Sequence, residues 1–146
     1  MAEAVLRHGR RPIAFAGRPI YSMLLPIPVI CFVGGLLTDL AYRGSGGNLL
    51  WLNFSCWLIA AGLLFGAFAL LFVLIDAARR AVSWISCGLL LGAWIVEFIN
   101  SLVHARDGWT AVVPLGLTLS VIGSVLALVA AWLSSPYRQA VRGDRL

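Results

Sequence analysis

The sequence contains no lysine and few charged residues of either sign. Charged side chains make up 12% of the 146 residues and hydrophobic ones 61%, whereas a soluble domain is about half apolar and about a quarter charged. This composition excludes a soluble globular domain and indicates an integral membrane protein. A bilayer core about 30 Å thick takes roughly 20 apolar residues per helix. Four spans would therefore use most of the chain, and we expect one transmembrane domain over residues 1–146.

Cysteine and histidine are also scarce, which argues against metal and haem sites. Cys31, Cys56 and Cys87 lie in three different apolar runs with no Cys-x-x-Cys pair, so we interpret them as packing residues and predict no metal site. Haem in a membrane bundle is commonly held by axial histidines. The two histidines here, His8 and His104, lie in the N-terminal segment and near the end of an apolar run. We therefore predict no cofactor.

Motifs of known enzymes are missing as well. The chain has no Walker loop, no Gly-x-Gly-x-x-Gly fingerprint and no recognisable set of Ser, His and Asp for nucleophilic catalysis. We assign no catalytic residues and expect no nucleic-acid partner. A non-enzymatic role is the stronger expectation.

Long apolar runs are what the sequence has in abundance. They cover about residues 24–42, 49–75, 81–103 and 112–133. Each is long enough to cross a bilayer as a helix. Because proline is tolerated in the first turn of a helix, Pro26 and Pro28 place the first helix start near Leu25 or predict a kink there, and Pro114 should open the fourth helix. Short connections predict an all-α, up-down-up-down antiparallel bundle.

Most of the arginines lie on one side of these spans. Seven of the eleven are in the two chain ends and two, Arg79 and Arg80, are in the second connection, whereas the other connections hold only Arg43 and Arg106. The positive-inside rule and the even number of spans then place both termini in the cytoplasm.

The use of arginine without lysine, together with abundant alanine, leucine and glycine, is typical of a GC-rich genome. We therefore expect a bacterial inner-membrane protein.

Small residues recur four apart on three of the spans. Such spacing lets membrane helices approach closely. The rows are Gly62 with Gly66, Gly88 with Gly92, and Gly116 with Ser120 and Ser124. Spacing alone leaves two alternatives, packing within one bundle and packing against another subunit.

Glu97 is the ionisable residue that lies well inside a span. An acid there is costly and by default indicates a function such as proton relay or ligand contact. Asn100 and His104 follow it at helical spacing on the same face. Asp39 and Asn53 lie at a similar depth in the first two spans. These five residues predict a polar pocket that opens outward.

Two alternatives exist for these residues. Glu97 could join helices by hydrogen bonding to Asn100, Asn53 or Arg106, with no further function. A metal site at Asp39, Glu97 and His104 has no recognised ligand spacing and would depend on the fold bringing the three together.

The cytoplasmic side offers a second candidate surface. Asp76 closes the second span, and two arginines follow at three and four residues, which suits local ion pairing. Clustered arginines attract anionic lipid headgroups and could equally bind an acidic partner subunit. The candidate interaction residues are Arg18, Tyr21, Asp76, Arg79, Arg80 and Arg138.

The segment from Gly17 to Pro28 resembles the opening motif of an uncharacterised bacterial family of four-helix membrane proteins, domain of unknown function twenty-two thirty-one. The family pattern is Gly-His-Pro-x-His-Pro-Met-Leu followed by Pro-x-Pro. It continues with an aspartate late in the first helix, an aspartate at the end of the second and a Trp-Leu pair near the end of the fourth. The matching residues here are Asp39, Asp76, Trp132 and Leu133.

The chain departs from this pattern at its histidines. Arg18 and Tyr21 stand where the family has histidine, Ser22 replaces a proline, and Ser134 and Ser135 replace a Gly-Gly pair. If those histidines bind haem or metal, the resemblance implies that this member has lost the site. We therefore expect a non-catalytic accessory or structural subunit of a larger inner-membrane complex, such as an electron-transport or photosynthetic one. The alternative is a small redox or transport protein that uses the pocket around Glu97.

Overall fold

The computed structural model describes residues 14–15, 18–79 and 82–134. Five α-helices and a minimal strand pair make up this part of the chain. The strands are β1 (Ala14–Phe15) and β2 (Arg18–Pro19), which pair antiparallel with Ala14 opposite Pro19. The helices are α1 (Ile20–Leu24), α2 (Pro26–Gly44), α3 (Leu49–Ala78), α4 (Trp84–His104) and α5 (Leu117–Ser134), and a π-helical turn, Val112–Gly116, precedes α5.

These helices form four spans long and apolar enough to cross a membrane. Their bounds are Ile20–Gly44, Leu49–Ala78, Trp84–His104 and Val112–Ser134. The predicted all-α class with four spans is confirmed. Two of the spans begin at polar caps, since Asn48 Oδ1 accepts from Leu50 N at 3.0 Å and Ser83 Oγ accepts from Ile85 N at 3.3 Å.

The first span begins at Ile20, earlier than Leu25. Leu25 has helical dihedral angles, and its N–H donates to the Tyr21 carbonyl at 2.8 Å, so α1 runs into α2. Tyr21 is only 1% exposed, and its hydroxyl donates to the Ser134 carbonyl at 3.2 Å. The prolines thus lie about two turns inside the span, at the start of α2, and α1 packs into the bundle.

The fourth span is irregular where proline was expected to open it. Val113 has non-helical angles (φ −114°, ψ 128°), and regular α-helix starts at Leu117. The Pro114 carbonyl accepts from the Leu117 N–H and from the Thr118 hydroxyl, the latter at 2.9 Å. Pro114 therefore lies in an interrupted turn just ahead of the helix.

Each span packs against the next in sequence, and α2 also packs against α5, so the four spans close into a square bundle. One end of the bundle, here called the two-loop end, carries the connections at residues 45–48 and 105–111. The opposite end, here called the terminal end, is where the first span starts, the fourth stops and α3 connects to α4. Large apolar side chains such as Trp57, which is 71% exposed, face outward as expected for lipid contact.

The small-residue rows of the second and fourth spans pack inside the bundle, whereas the row on α4 does not. A Cβ on Gly62 would clash with the Phe32 ring, and one on Gly66 would lie 3.1 Å from Trp94. Gly116, Ser120 and Ser124 are also buried. By contrast, nothing lies within 4 Å of a Cβ built on Gly88, which is exposed. The row at Gly88 and Gly92 is thus not a tight internal contact.

Candidate functional site

Six polar side chains meet inside the bundle near the two-loop end. They come from all four spans, and none is more than 4% exposed. We call this cluster the polar core: Asp39, Ser55, Glu97, Asn100, His104 and Ser120. Its members lie among apolar helices, where each polar group must find a partner within the protein.

Asp39, on α2, is the shared acceptor of the polar core. Its Oδ1 accepts from the Ser55 hydroxyl at 2.5 Å and lies 2.9 Å from His104 Nε2. Its Oδ2 accepts from the Ser120 hydroxyl at 2.5 Å. One carboxyl group on α2 thus binds α3, α4 and α5 together.

His104 and Asp39 hold a proton between them. His104 Nδ1 lies 3.0 Å from the Asn100 carbonyl oxygen, which can only accept, so Nδ1 carries a hydrogen. Two unprotonated acceptors would repel each other at 2.9 Å, so the contact between Nε2 and Oδ1 requires one further proton, on either the ring or the carboxyl. Whether it resides on the ring or on the carboxyl, the pair has no net charge. Removing it would leave a negative charge buried in an apolar bundle, which is costly.

Glu97 is joined to Asp39 through two intermediate side chains. Asn100 Nδ2 donates to Glu97 Oε2 at 3.0 Å and to Ser120 Oγ at 2.8 Å, and Ser120 in turn donates to Asp39. An amide nitrogen can donate but cannot accept, so no proton passes along this chain through Asn100. Glu97 and the Asp39–His104 pair are therefore two linked but separate ionisable sites.

The second oxygen of Glu97 makes no hydrogen bond in the described part of the chain. Oε1 is buried and lies against the backbone of α5 at Gly123, so closely that a Cβ there would clash with it. The glycine thus makes the room that the acid occupies. An orphaned carboxyl oxygen in the core is expensive, and intramembrane acids of this kind are by default functional candidates.

The 105–111 connection covers the polar core at the two-loop end. Ala111 and Val112 are fully buried, and Gly116 lies so close to the Ala111 carbonyl and the His104 ring that a Cβ would clash with both. The Tyr42 hydroxyl donates to the Gly108 carbonyl at 2.6 Å and holds the connection on the end of α2. The core is closed in this conformation, whereas the sequence predicted an open pocket.

Four of the five predicted pocket residues meet in the polar core, and Asn53 does not. Asn53 is exposed, because it lies two residues from Ser55, about 200° around the helix. Ser55 and Ser120 were missed as site residues. Ser120 belongs to a predicted row of small residues, and that spacing was the one sequence feature that could have placed it inside the bundle. No local sequence feature distinguishes Ser55. Of the proposed partners of Glu97, Asn100 makes the hydrogen bond.

The polar core is poorly suited to ligate metal or haem iron as it stands. Both ring nitrogens of His104 already have partners. No group of three His, Cys, Asp or Glu residues in the described ranges is close enough to hold a metal ion. The arrangement is suited to holding protons.

The predicted cytoplasmic residues divide into buried and exposed ones. Tyr21 and Asp76 are buried, so they are not part of an exposed interaction surface. Arg79 is exposed, and Arg18 belongs to β2. Arg80 and Arg138 lie outside the described residues.

Comparison with known proteins places the chain in a family. Residues 17–136 match the family of predicted membrane proteins designated DUF2231. The chain belongs to this family. The match begins at the opening motif, as the resemblance predicted, and the residues that it covers include the whole polar core. No curated protein and no solved structure matches the chain, so family membership establishes a membrane protein without assigning an activity.

Proposed function

We propose that the chain is a small transport protein that binds protons in the polar core and passes them across the membrane or uses them to drive another solute. The observation that carries this proposal is the burial of three ionisable side chains, Asp39 in contact with His104 and Glu97 apart from them, inside a bundle of four membrane-spanning helices. A purely structural polar core has no need of an acid whose Oε1 lacks a partner.

Closure of the polar core sets a requirement on the mechanism. A proton can reach the Asp39–His104 pair from the two-loop end only if the 105–111 connection moves, which means breaking the contact between Tyr42 and Gly108. It can reach Glu97 from Asp39 only if Asn100 is bypassed by water or by rearrangement. The proposal thus includes an opening step, and Tyr42→Phe should raise the rate of proton entry.

Proteoliposomes test this function directly. Purified protein is reconstituted with a pH dye inside, the membrane potential is clamped, and an acid pulse is given outside. We expect proton uptake above that of protein-free vesicles, and its loss in Glu97→Gln and Asp39→Asn. Ser101→Ala is the matched control, since this α4 hydroxyl bonds the Phe98 carbonyl of its own helix, at 2.8 Å, and is not part of the polar core. Uptake equal to that of empty vesicles, with and without candidate solutes, would reject the proposal.

A specific observation also favours the accessory-subunit function. Gly88 faces outward with open space around it, whereas the glycines of α3 pack internally. An exposed small residue on a span permits close approach by a helix of another subunit. We propose α4 as the face that would bind such a subunit in an inner-membrane complex.

Purification in a mild detergent tests this second function. A stoichiometric partner should copurify with the native protein and be lost from Gly88→Leu, and Gly88→Ala should retain it. A protein that elutes alone from several mild detergents would refute the subunit role and leave the transport proposal untouched.

A further inference from the structure

A cleft at the terminal end opens on the side of the bundle between the first and fourth spans. It encloses about 340 Å³. Towards the middle of the spans its lining is apolar and includes Val29 and Ala131, with the exposed Ile30 on the rim, whereas Tyr21 and Ser134 line it where the spans begin and end. The cleft is therefore apolar towards the bilayer centre and polar towards the membrane surface.

The polarity of the cleft changes along the membrane normal in the same direction as the polarity of a phospholipid, from apolar acyl chain to polar headgroup. An acyl chain buried against Val29 and Ala131 would place its ester and phosphate groups near Tyr21 and Ser134. The hydrogen bond from the Tyr21 hydroxyl to the Ser134 carbonyl joins α1 to the end of α5 and fixes the width of the cleft there. A water-soluble ligand fits poorly, because the cleft opens on a lipid-facing side where Ile30 is 69% exposed.

The charge beside the polar lining selects the headgroup. Arg18 precedes Tyr21 by three residues, so their Cα atoms are at most about 11 Å apart. In the sequence, nine of the eleven arginines precede the first span, follow the fourth or lie between the second and third, which are the points where the spans reach this end, and Asp76 there is buried. This excess of positive charge favours an anionic lipid over a zwitterionic one.

We propose that the cleft is a binding site for one anionic phospholipid, with an acyl chain along Val29 and Ala131 and the headgroup near Arg18. This site is independent of the polar core, which lies at the other end of the bundle. It would fix the first span against the fourth at the point where they meet.

The test is lipid retention in nanodiscs made from equal amounts of phosphatidylglycerol and phosphatidylethanolamine. After release into mild detergent, native mass spectrometry counts the lipids that remain bound. We expect one phosphatidylglycerol per chain. Ala131→Trp, which fills the cleft, should abolish its retention, and Val125→Trp, at an exposed position on the same helix, should not.

Two further variants guard against misfolding and test the charge. Ile30→Trp changes a mostly exposed side chain on the rim, so it should fold and still displace the lipid. Arg18→Gln should reduce the preference for phosphatidylglycerol about fivefold, the effect of one arginine near an anionic surface, whereas Arg43→Gln at the two-loop end should not. Any of three results would overturn the proposal. The protein could retain both lipids equally, both tryptophan variants of the cleft could retain as much lipid as the native chain, or a protein dimer could form in place of bound lipid.

Discussion

Gly123 and Glu97 show how one residue makes room for another. The acid packs against the α5 backbone at a position where any Cβ would overlap its side chain. Gly123→Ala should therefore destabilise the bundle by about 1–3 kcal/mol, the usual cost of overpacking. The measurement is reversible unfolding in mixed micelles.

A double variant distinguishes the steric overlap of the new methyl group with Glu97 from the effect of alanine on the stability of α5 itself. Combining Gly123→Ala with Glu97→Ala removes the overlapping side chain, so the two changes should cost less together than their sum by about 0.5–3 kcal/mol. Gly92→Ala is the control, since its nearest neighbour would lie 4.0 Å away. Additive costs in the double variant would show that Glu97 does not pack on Gly123.

Asp107 is a titratable residue outside the spans whose environment favours its charged form. Hydrogen bonds from the Thr110 hydroxyl and from the N–H groups of Thr110 and Trp109 lower its pKa below the ordinary 3.8. The resulting stability is present above pH 3.8 and is lost as the pH falls through the lower folded pKa.

Thr110→Val removes the largest of these contributions and keeps the backbone donors. The pKa of Asp107 should rise towards 3.8, as followed by carboxyl carbon resonances during a pH titration in micelles. Thr118→Val is the matched control, because its hydroxyl bonds the Pro114 carbonyl. An unchanged Asp107 titration in Thr110→Val would contradict the hydrogen-bond assignment.

Sequence patterns predicted which kinds of side chain form the polar core better than they predicted which individual residues belong to it. Glu97, Asn100 and His104 share a face because helical spacing requires it. Their meeting with Asp39 depends on the packing of α2 beside α5, which no local pattern encodes. Asn53 and Ser55 were equally plausible by depth, and the rotation of α3 about its axis decided between them.

At the scale of the helices, the glycine rows of α3 and α4 have different environments. Gly62→Ala places a methyl group on the Phe32 ring and should cost about 1–3 kcal/mol. Gly88→Ala meets open space and should stabilise the helix by about 0.5–1 kcal/mol, because alanine loses less backbone entropy than glycine. Denaturant unfolding of the two variants against the native chain gives the comparison, and equal effects would contradict the packing of α3 on α2.

Helix boundaries were predictable to within a few residues, including at the prolines. Pro26 and Pro28 predict a helix start near Leu25 or a kink there, and α2 does begin at Pro26, with Leu25 as its N-cap. The sequence did not predict that α1 extends the span back to Ile20, with Tyr21 buried and bonded to Ser134. That contact joins residues 113 positions apart, and such contacts are not visible in a sequence window.

For the whole molecule, the distribution of arginine predicts the orientation in the membrane. Nine arginines at the terminal end should keep that end in the cytoplasm. Single cysteines in a cysteine-free background test this prediction with an impermeant maleimide on intact cells. Ser45→Cys, at the two-loop end, should label from outside, and Leu146→Cys should label only after lysis. The opposite labelling pattern would reverse the orientation.

The same assay tests whether the arginines cause the orientation. Replacing Arg79 and Arg80 by glutamine removes charge from a short connection, where the positive-inside rule acts most strongly, so some chains should insert inverted and expose residue 146 outside. Replacing Arg43 and Arg106 removes the same charge from the two-loop end and should leave every chain in the native orientation. If the two double variants label alike, the orientation is set by something other than the charge difference between the ends.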